Sequence, residues 1–145
     1  MMSSLRTSYN MTRLNKDSYY IDIAKAVSRR STCLRRQYGA VIVKNDEIIS
    51  TGYNGAPRGE ENCCDLGYCK RAAEGIPHGS CYELCKSVHA EMNAIISAAR
   101  RDMIGSTLYL YGEEDGKPID AKPCDICLRL ILNAGIENIV TLKWE

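Results

Sequence analysis

The sequence has 145 residues, a length that suits one domain with a sizeable core. Hydrophobic residues make up 45% and charged residues 26%, and the net charge of +1 gives no reason to expect a nucleic-acid or membrane partner. No apolar run approaches the ~20 residues of a membrane span, and the first residues lack the apolar core of a secretory signal, so we expect a cytoplasmic protein.

The first predicted elements are an arm, a helix and a hairpin. Residues 1–15 have no clear period and are expected to form an N-terminal arm without fixed structure. Helical spacing of apolar residues over 16–30 predicts an amphipathic helix, and its apolar positions are Tyr20, Ile23, Ala24 and Val27. Two strands follow, over 40–43 and 47–51, with a hairpin turn between them. Their apolar runs do not alternate strictly, as expected of strands covered on both faces.

The second half of the chain alternates helices and strands. A helix is predicted over 88–101 and a strand over 106–112, followed by a polar loop over 113–122. Pro123 opens a further helix that ends before Gly135, and a last strand is predicted over 136–144. This order predicts an α/β fold of three layers, α/β/α, with a central mixed sheet and helices on both faces. The last strand–helix–strand unit predicts a parallel crossover.

Cysteine is abundant, with eight residues, five of which lie in a Cys-rich insertion at about 53–86. In an intracellular chain such cysteines favour metal ligands or catalytic thiols over disulfides. A loop this long inside a compact domain needs a special reason, and metal binding would be one.

One group of residues points to a catalytic metal. Cys124 and Cys127 are three residues apart in the first turn of a predicted helix, which places both sulfurs on one face, and the helix N-terminus favours thiolate. Together with His89, at the start of another helix, they make a three-ligand zinc set that leaves a fourth position for water. Glu91 can take up the proton of such a water and deliver it to a substrate.

Each of these residues alone has an ordinary explanation. A buried histidine is often a core residue, a Cys-x-x-Cys pair can be redox-active, and a glutamate in a first helical turn suits the helix dipole. The combination of His-x-Glu with Pro-Cys-x-x-Cys, each opening a helix, favours the zinc-deaminase interpretation.

The chain resembles the cytidine and deoxycytidylate deaminase superfamily over roughly residues 17–142, and within it the deoxycytidylate (dCMP) deaminases. The resemblance is carried by "GAVIVKNDEIISTGYNGAP", "VHAEMNAI" and "PCDICLRLILNAGI". It implies a cytidine-deaminase-like fold, with a deaminase domain over 16–145, and the hydrolysis of dCMP to dUMP and ammonia.

The resemblance also implies roles for individual residues. His89, Cys124 and Cys127 would hold a zinc ion, whose hydroxide would attack cytosine C4, and Glu91 would protonate N3 and carry a proton to the leaving ammonia. The residues implied for substrate binding are Asn54 for the deoxyribose, the backbone of Ala90 for the base, and Arg100, with Arg36 and Arg58, as candidates for the phosphate.

Further properties follow from relatives. A second, structural zinc would be held by Cys33, Cys64, Cys69 and Cys85, with Cys63, Cys81 and His78 as competitors for that role. Many family members are homohexamers that dCTP activates and dTTP inhibits. Compared with the family pattern, the loop over 112–122 is longer, and it could alter substrate choice.

Three alternatives remain open at this point. The same zinc chemistry could act on another base, such as tRNA adenosine, free cytosine or guanine. The metals could instead staple a non-enzymatic interaction module, although such a module needs no proton carrier like Glu91. Cys124 and Cys127 could also form a thiol oxidoreductase pair, which would work without metal.

Overall fold

The computed structural model describes residues 13–62 and 87–142. Its elements, in chain order, are α1 (Lys16–Ser28), β1 (Gln37–Lys44), β2 (Glu47–Tyr53), α2 (Ala90–Ile96), α3 (Arg100–Met103), β3 (Thr107–Glu114), β4 (Lys117–Pro118), α4 (Asp125–Ala134) and β5 (Asn138–Thr141). Among the described residues, no helix is both long enough and apolar enough to cross a bilayer.

The five strands form one mixed sheet. β1 lies between β2 and β3 and is antiparallel to both. On the side away from β1, β3 pairs with two strands. Its last residues pair antiparallel with β4, and its first residues pair parallel with β5. Because α4 connects β3 to the parallel strand β5, the predicted crossover is confirmed.

Helices cover both faces of the sheet. On one face, α1 packs Tyr20 and Ala24 against Val41 and Tyr109. On the other face, α2, α3 and α4 enclose a second core that contains Ile42. Neighbouring residues of β1 therefore enter different cores, which explains its unbroken apolar run. The three-layer fold is confirmed.

Two glycines allow the helices to lie directly on the sheet. A Cβ atom at Gly39 would come within 2.0 Å of the carbonyl oxygen of Ala24 in α1. A Cβ atom at Gly52 would come within 2.4 Å of the carbonyl oxygen of Ala90 in α2. Only a residue without a side chain fits at either position, so Gly52 sets how closely α2 approaches β2.

Two local predictions need correction. The single helix expected over 88–101 is two helices, because Ala99 has extended backbone (φ −81°, ψ 141°) and the chain turns so that Met103 is buried. The polar loop over 113–122 begins as a hairpin, with Asp115 and Gly116 at positive φ between β3 and β4, and the Asp-Gly pair was its signal. The first helix begins at Lys16, as predicted, and Asn15 caps it by accepting a hydrogen bond from the Ser18 amide.

Candidate metal centre and active site

The fold brings together three side chains that can bind a metal. His89 is the N-cap of α2, Cys124 is the N-cap of α4, and Cys127 lies in the first turn of α4. The Nδ1 atom of His89 is 3.2 Å from the Sγ atom of Cys127 and 3.6 Å from that of Cys124. All three donor atoms lie within 4.8 Å of one another.

The two helix N-termini explain why these side chains meet. Cys124 accepts a hydrogen bond on its sulfur from the Cys127 amide at 3.5 Å, the contact expected of an N-cap. His89 leaves α2 in an extended conformation (φ −70°, ψ 155°), which turns it from the helix towards the first turn of α4. The positive ends of both helix dipoles thus face the same point and favour anionic thiolates there.

The donor set fits zinc. Tetrahedral zinc, with sulfur at about 2.3 Å and nitrogen at about 2.0–2.1 Å, separates its ligand atoms by roughly 3.4–3.8 Å. The distances of 3.2 and 3.6 Å around Nδ1 lie within a few tenths of an ångström of that range. Burial, together with the negative charges of Glu91 and Cys124, raises the pKa of the Cys127 thiol, so a cation is needed to hold it as thiolate.

A buried carboxyl group completes the centre. Glu91 lies in the first turn of α2, is 5% exposed, and hydrogen-bonds with Cys127. Burial raises the pKa of the Glu91 carboxyl, while hydrogen bonds from its own backbone and from Cys127 oppose the rise. An acid–base group therefore stands directly beside the metal ligands and is shielded from solvent.

Asn54 is buried at the same end of the sheet. Its Oδ1 atom accepts hydrogen bonds from the Ser31 hydroxyl (2.6 Å) and the Tyr38 amide (2.8 Å), and its Nδ2 atom donates to the carbonyl oxygen of Arg36 (2.9 Å). The deoxyribose role of Asn54 stays a prediction. Ala90, whose backbone was expected to hold the base, is fully buried between the two other site residues of α2, and its role also stays a prediction.

The three arginines that were expected to bind the phosphate lie in different surroundings, and their role stays a prediction. Arg36 forms an ion pair with Glu114 at 3.4 Å, and hydrogen bonds to Tyr38 and then to Glu114 raise its pKa. Arg58 is exposed and lines a cavity of about 300 Å³ that the three metal ligands do not border.

Arg100 contacts the far end of α4. It donates to the carbonyl oxygen of Asn133 at the far end of α4, roughly 13 Å along the helix axis from Cys124. The phosphate role of Arg100 stays a prediction.

Of the four predicted ligands of the second metal, one lies within the described residues. Cys33 carries a free, half-buried thiol in the segment between α1 and β1. The other predicted ligands, Cys64, Cys69 and Cys85, lie outside the described residues, as do the competitors Cys63, Cys81 and His78.

Sequence reasoning missed two features of the site. Ser31 hydrogen-bonds Asn54, and Arg36 is neutralised by Glu114. A serine or an arginine in a polar segment carries no local signal of such contacts, since both partners are distant in the chain. The close approach at Gly52 could have been suspected from a glycine within a strand.

Comparisons with known proteins agree with this geometry. The model of the family described as "Cytidine and deoxycytidylate deaminase zinc-binding region" matches residues 14–143. The deoxycytidylate deaminase of Mycobacterium phage D29 is 41% identical over 138 residues, which cover 92% of this chain and 98% of the phage protein. That of Schizosaccharomyces pombe is 36% identical over 90% of this chain, and the chain spans 38% of its length.

A solved structure is similar as well. The dCMP deaminase of cyanophage S-TIM5, determined in complex with dCMP and dUMP, is 27% identical, with a TM-score of 0.62. The match covers 89% of this chain and 83% of the cyanophage chain.

Proposed function

The chain belongs to the cytidine and deoxycytidylate deaminase family, and we propose that it catalyses the hydrolytic deamination of dCMP to dUMP and ammonia. The observation that carries the proposal is the triad of His89, Cys124 and Cys127 at tetrahedral spacing beside buried Glu91. The similarity to a dCMP deaminase solved with dCMP and dUMP supports the same substrate.

The residues divide the work between metal binding and proton transfer. His89, Cys124 and Cys127 would hold zinc, which supplies Lewis acidity towards a water molecule at its open fourth position. Glu91, which hydrogen-bonds with the ligand Cys127, would take a proton from that water. The same carboxyl group would pass that proton to N3 of the cytosine ring. It would then take up the proton of the hydroxyl group added at C4 and deliver it to the amino group, which would leave as ammonia.

Burial of the carboxyl group argues against a purely structural metal site. A charged side chain that is 5% exposed costs stability unless it is compensated, and the described neighbours offer Glu91 no cation. A structural site would gain nothing from that cost, whereas a hydrolytic site requires the group.

The test is a deamination assay with a zinc count on the same sample. dCMP, CMP, deoxycytidine, cytosine and guanine are offered in parallel to the wild type, to Glu91→Ala, and to Glu137→Ala as a matched control on the surface. We expect turnover of dCMP by the wild type and the control, and zinc without turnover in Glu91→Ala. Zinc-loaded wild type that releases no ammonia from any pyrimidine would contradict the proposal.

Three finer properties remain part of the proposal. A second zinc, with Cys33 among its ligands, would appear as two zinc ions per chain in the wild type and one in Cys33→Ser. Activation by dCTP and inhibition by dTTP are tested in the same assay. A cytoplasmic location stays a prediction from the sequence.

We also propose a homo-oligomer. Exposed apolar side chains lie on both flanks of α4, around the polar residues Asp125 and Arg129, and they are Ile126, Leu128, Leu130 and Leu132. Light scattering should report more than one chain per particle for the wild type and a smaller particle for Leu132→Lys. A monomeric wild type would refute this part of the proposal.

A further inference from the structure

We propose that Ser31 is a positioning residue of the active site, which holds the Asn54 carboxamide so that it faces the substrate as a hydrogen-bond donor. The inference rests on the proposed function, because it takes the ligand to be a nucleotide whose sugar offers an oxygen acceptor. It is carried by the contacts around Asn54, a residue that is 6% exposed.

Backbone pairing places Asn54 beside the metal ligand His89. Gly55 and Val88 form an antiparallel bridge and exchange both backbone hydrogen bonds, at 3.1 and 2.7 Å. Asn54 and His89 flank this bridge on the same side, one residue before Gly55 and one residue after Val88. In an antiparallel arrangement, residues in these two positions lie opposite each other and their side chains point to the same face. A Cβ atom on Gly55 would point to the opposite face, where it would contact the side chain of Thr32.

The hydrogen bonds of the carboxamide leave one group available. Oδ1 is saturated, because it accepts from the Ser31 hydroxyl at 2.6 Å and from the Tyr38 amide at 2.8 Å. One Nδ2 hydrogen goes to the carbonyl oxygen of Arg36 at 2.9 Å. The second Nδ2 hydrogen has no partner among the described residues, so the side chain can offer a ligand only a donor.

Ser31 is the single side chain in this arrangement, since the other two partners are backbone groups. Its hydroxyl lies 2.6 Å from Oδ1 and 2.9 Å from the backbone oxygen of Asn54, and it accepts from the Cys33 amide at 3.2 Å. Its single hydrogen is directed to the nearer of the two oxygens, Oδ1 of the Asn54 side chain. Without it, Oδ1 has a vacant acceptor position and the carboxamide can rotate away from the direction that the free hydrogen now takes.

The competing explanation is that Ser31 only tethers the segment after α1 to β2. Thr32 provides the matched control, because its hydroxyl donates to Asn62 at 3.0 Å and does not touch the Asn54 carboxamide. Thr32→Val removes one hydrogen bond from the same segment without changing the side-chain volume greatly.

The experiment is steady-state kinetics of zinc-loaded Ser31→Ala, Ser31→Thr, Asn54→Ala and the double variant Ser31→Ala/Asn54→Ala, with Thr32→Val beside them. Loss of one ligand-directed hydrogen bond should raise the KM for dCMP about 5- to 10-fold in Ser31→Ala, with kcat within about twofold of the wild type. Ser31→Thr, which restores the hydroxyl, and Thr32→Val should both keep the wild-type KM. The double variant should be no worse than Asn54→Ala, because Ser31 acts through Asn54.

Several outcomes would overturn the inference. These are an unchanged KM in Ser31→Ala, an equal rise in Thr32→Val, or additive effects in the double variant. If Asn54→Ala does not fold, the comparison of Ser31→Ala with Ser31→Thr and Thr32→Val decides alone. A wild type that does not turn over dCMP would instead refute the proposed function, so the two failures are distinguishable.

Discussion

The approach of α2 to the sheet at Gly52 makes the sharpest prediction about the site. A Cβ atom at this position would lie 2.4 Å from the carbonyl oxygen of Ala90 and 2.4 Å from the amide nitrogen of Ala94. Both are backbone atoms of α2, so no side chain can swing aside. In Gly52→Ala, α2 must move by about 1 Å, the difference between 2.4 Å and the 3.4 Å at which ordinary contact begins.

This displacement acts on the metal centre because α2 carries His89 and Glu91, whereas Cys124 and Cys127 belong to α4. The 3.2 and 3.6 Å separations across the two helices would no longer fit one tetrahedral ion. Overpacking of this kind costs about 1–3 kcal/mol of stability. A misplacement of catalytic groups by about 1 Å costs about 100-fold in rate. We therefore expect Gly52→Ala to lose about 100-fold in kcat and to release zinc more readily.

Gly39→Ala is the matched control. Its Cβ atom would meet the backbone of α1 at 2.0 Å from the Ala24 oxygen and 2.6 Å from the Ser28 nitrogen, on the opposite face of the sheet. This variant should lose at least as much melting temperature but keep the zinc content and kcat of its folded fraction. The measurements are zinc content after dialysis, kcat for dCMP, and thermal unfolding. Gly52→Ala with full zinc and kcat within threefold of the wild type would refute the reasoning.

Three further predictions concern the ligands, the core and a surface contact. Cys127→Ala should abolish both zinc binding and turnover, because it removes a fully buried ligand. Zinc is measured by atomic absorption, and one ion retained per site would contradict this prediction. Ser106→Ala should leave the free energy of unfolding unchanged or raise it by about 1 kcal/mol, because the Ser106 hydroxyl is buried and finds no hydrogen-bond partner among the described residues. A loss above about 1 kcal/mol in urea titration would contradict this. Hydrogen bonds from Lys16 and Tyr20 hold the pKa of Asp46 below its ordinary value. The ionised carboxylate therefore stabilises the folded state fully at neutral pH, and this contribution is lost as the pH falls below about 4. In Asp46→Asn, the free energy of unfolding should therefore fall less steeply as the pH is lowered into the acid range. An unchanged fall would show that the contact contributes nothing.

The sequence by itself determined the elements and the chemistry of the site. Hydrophobic periodicity, turn residues and helix-start residues act within a few positions of the chain, so they could be read locally. His89, Glu91, Cys124 and Cys127 each open a helix, and their residue types suit zinc and proton transfer. The layers of the fold followed from the same local patterns.

The tertiary structure decided what lies next to what. The residues on both sides of the break between α2 and α3 are mostly good helix formers, so helix propensity could not indicate the break. Three contacts depend on how the helices and loops sit on the sheet: Ser31 with Asn54, Arg36 with Glu114, and Arg100 with Asn133. Such contacts join residues far apart in the chain, and they are set by close packing and by approaches such as that at Gly52, which no local pattern of residues encodes.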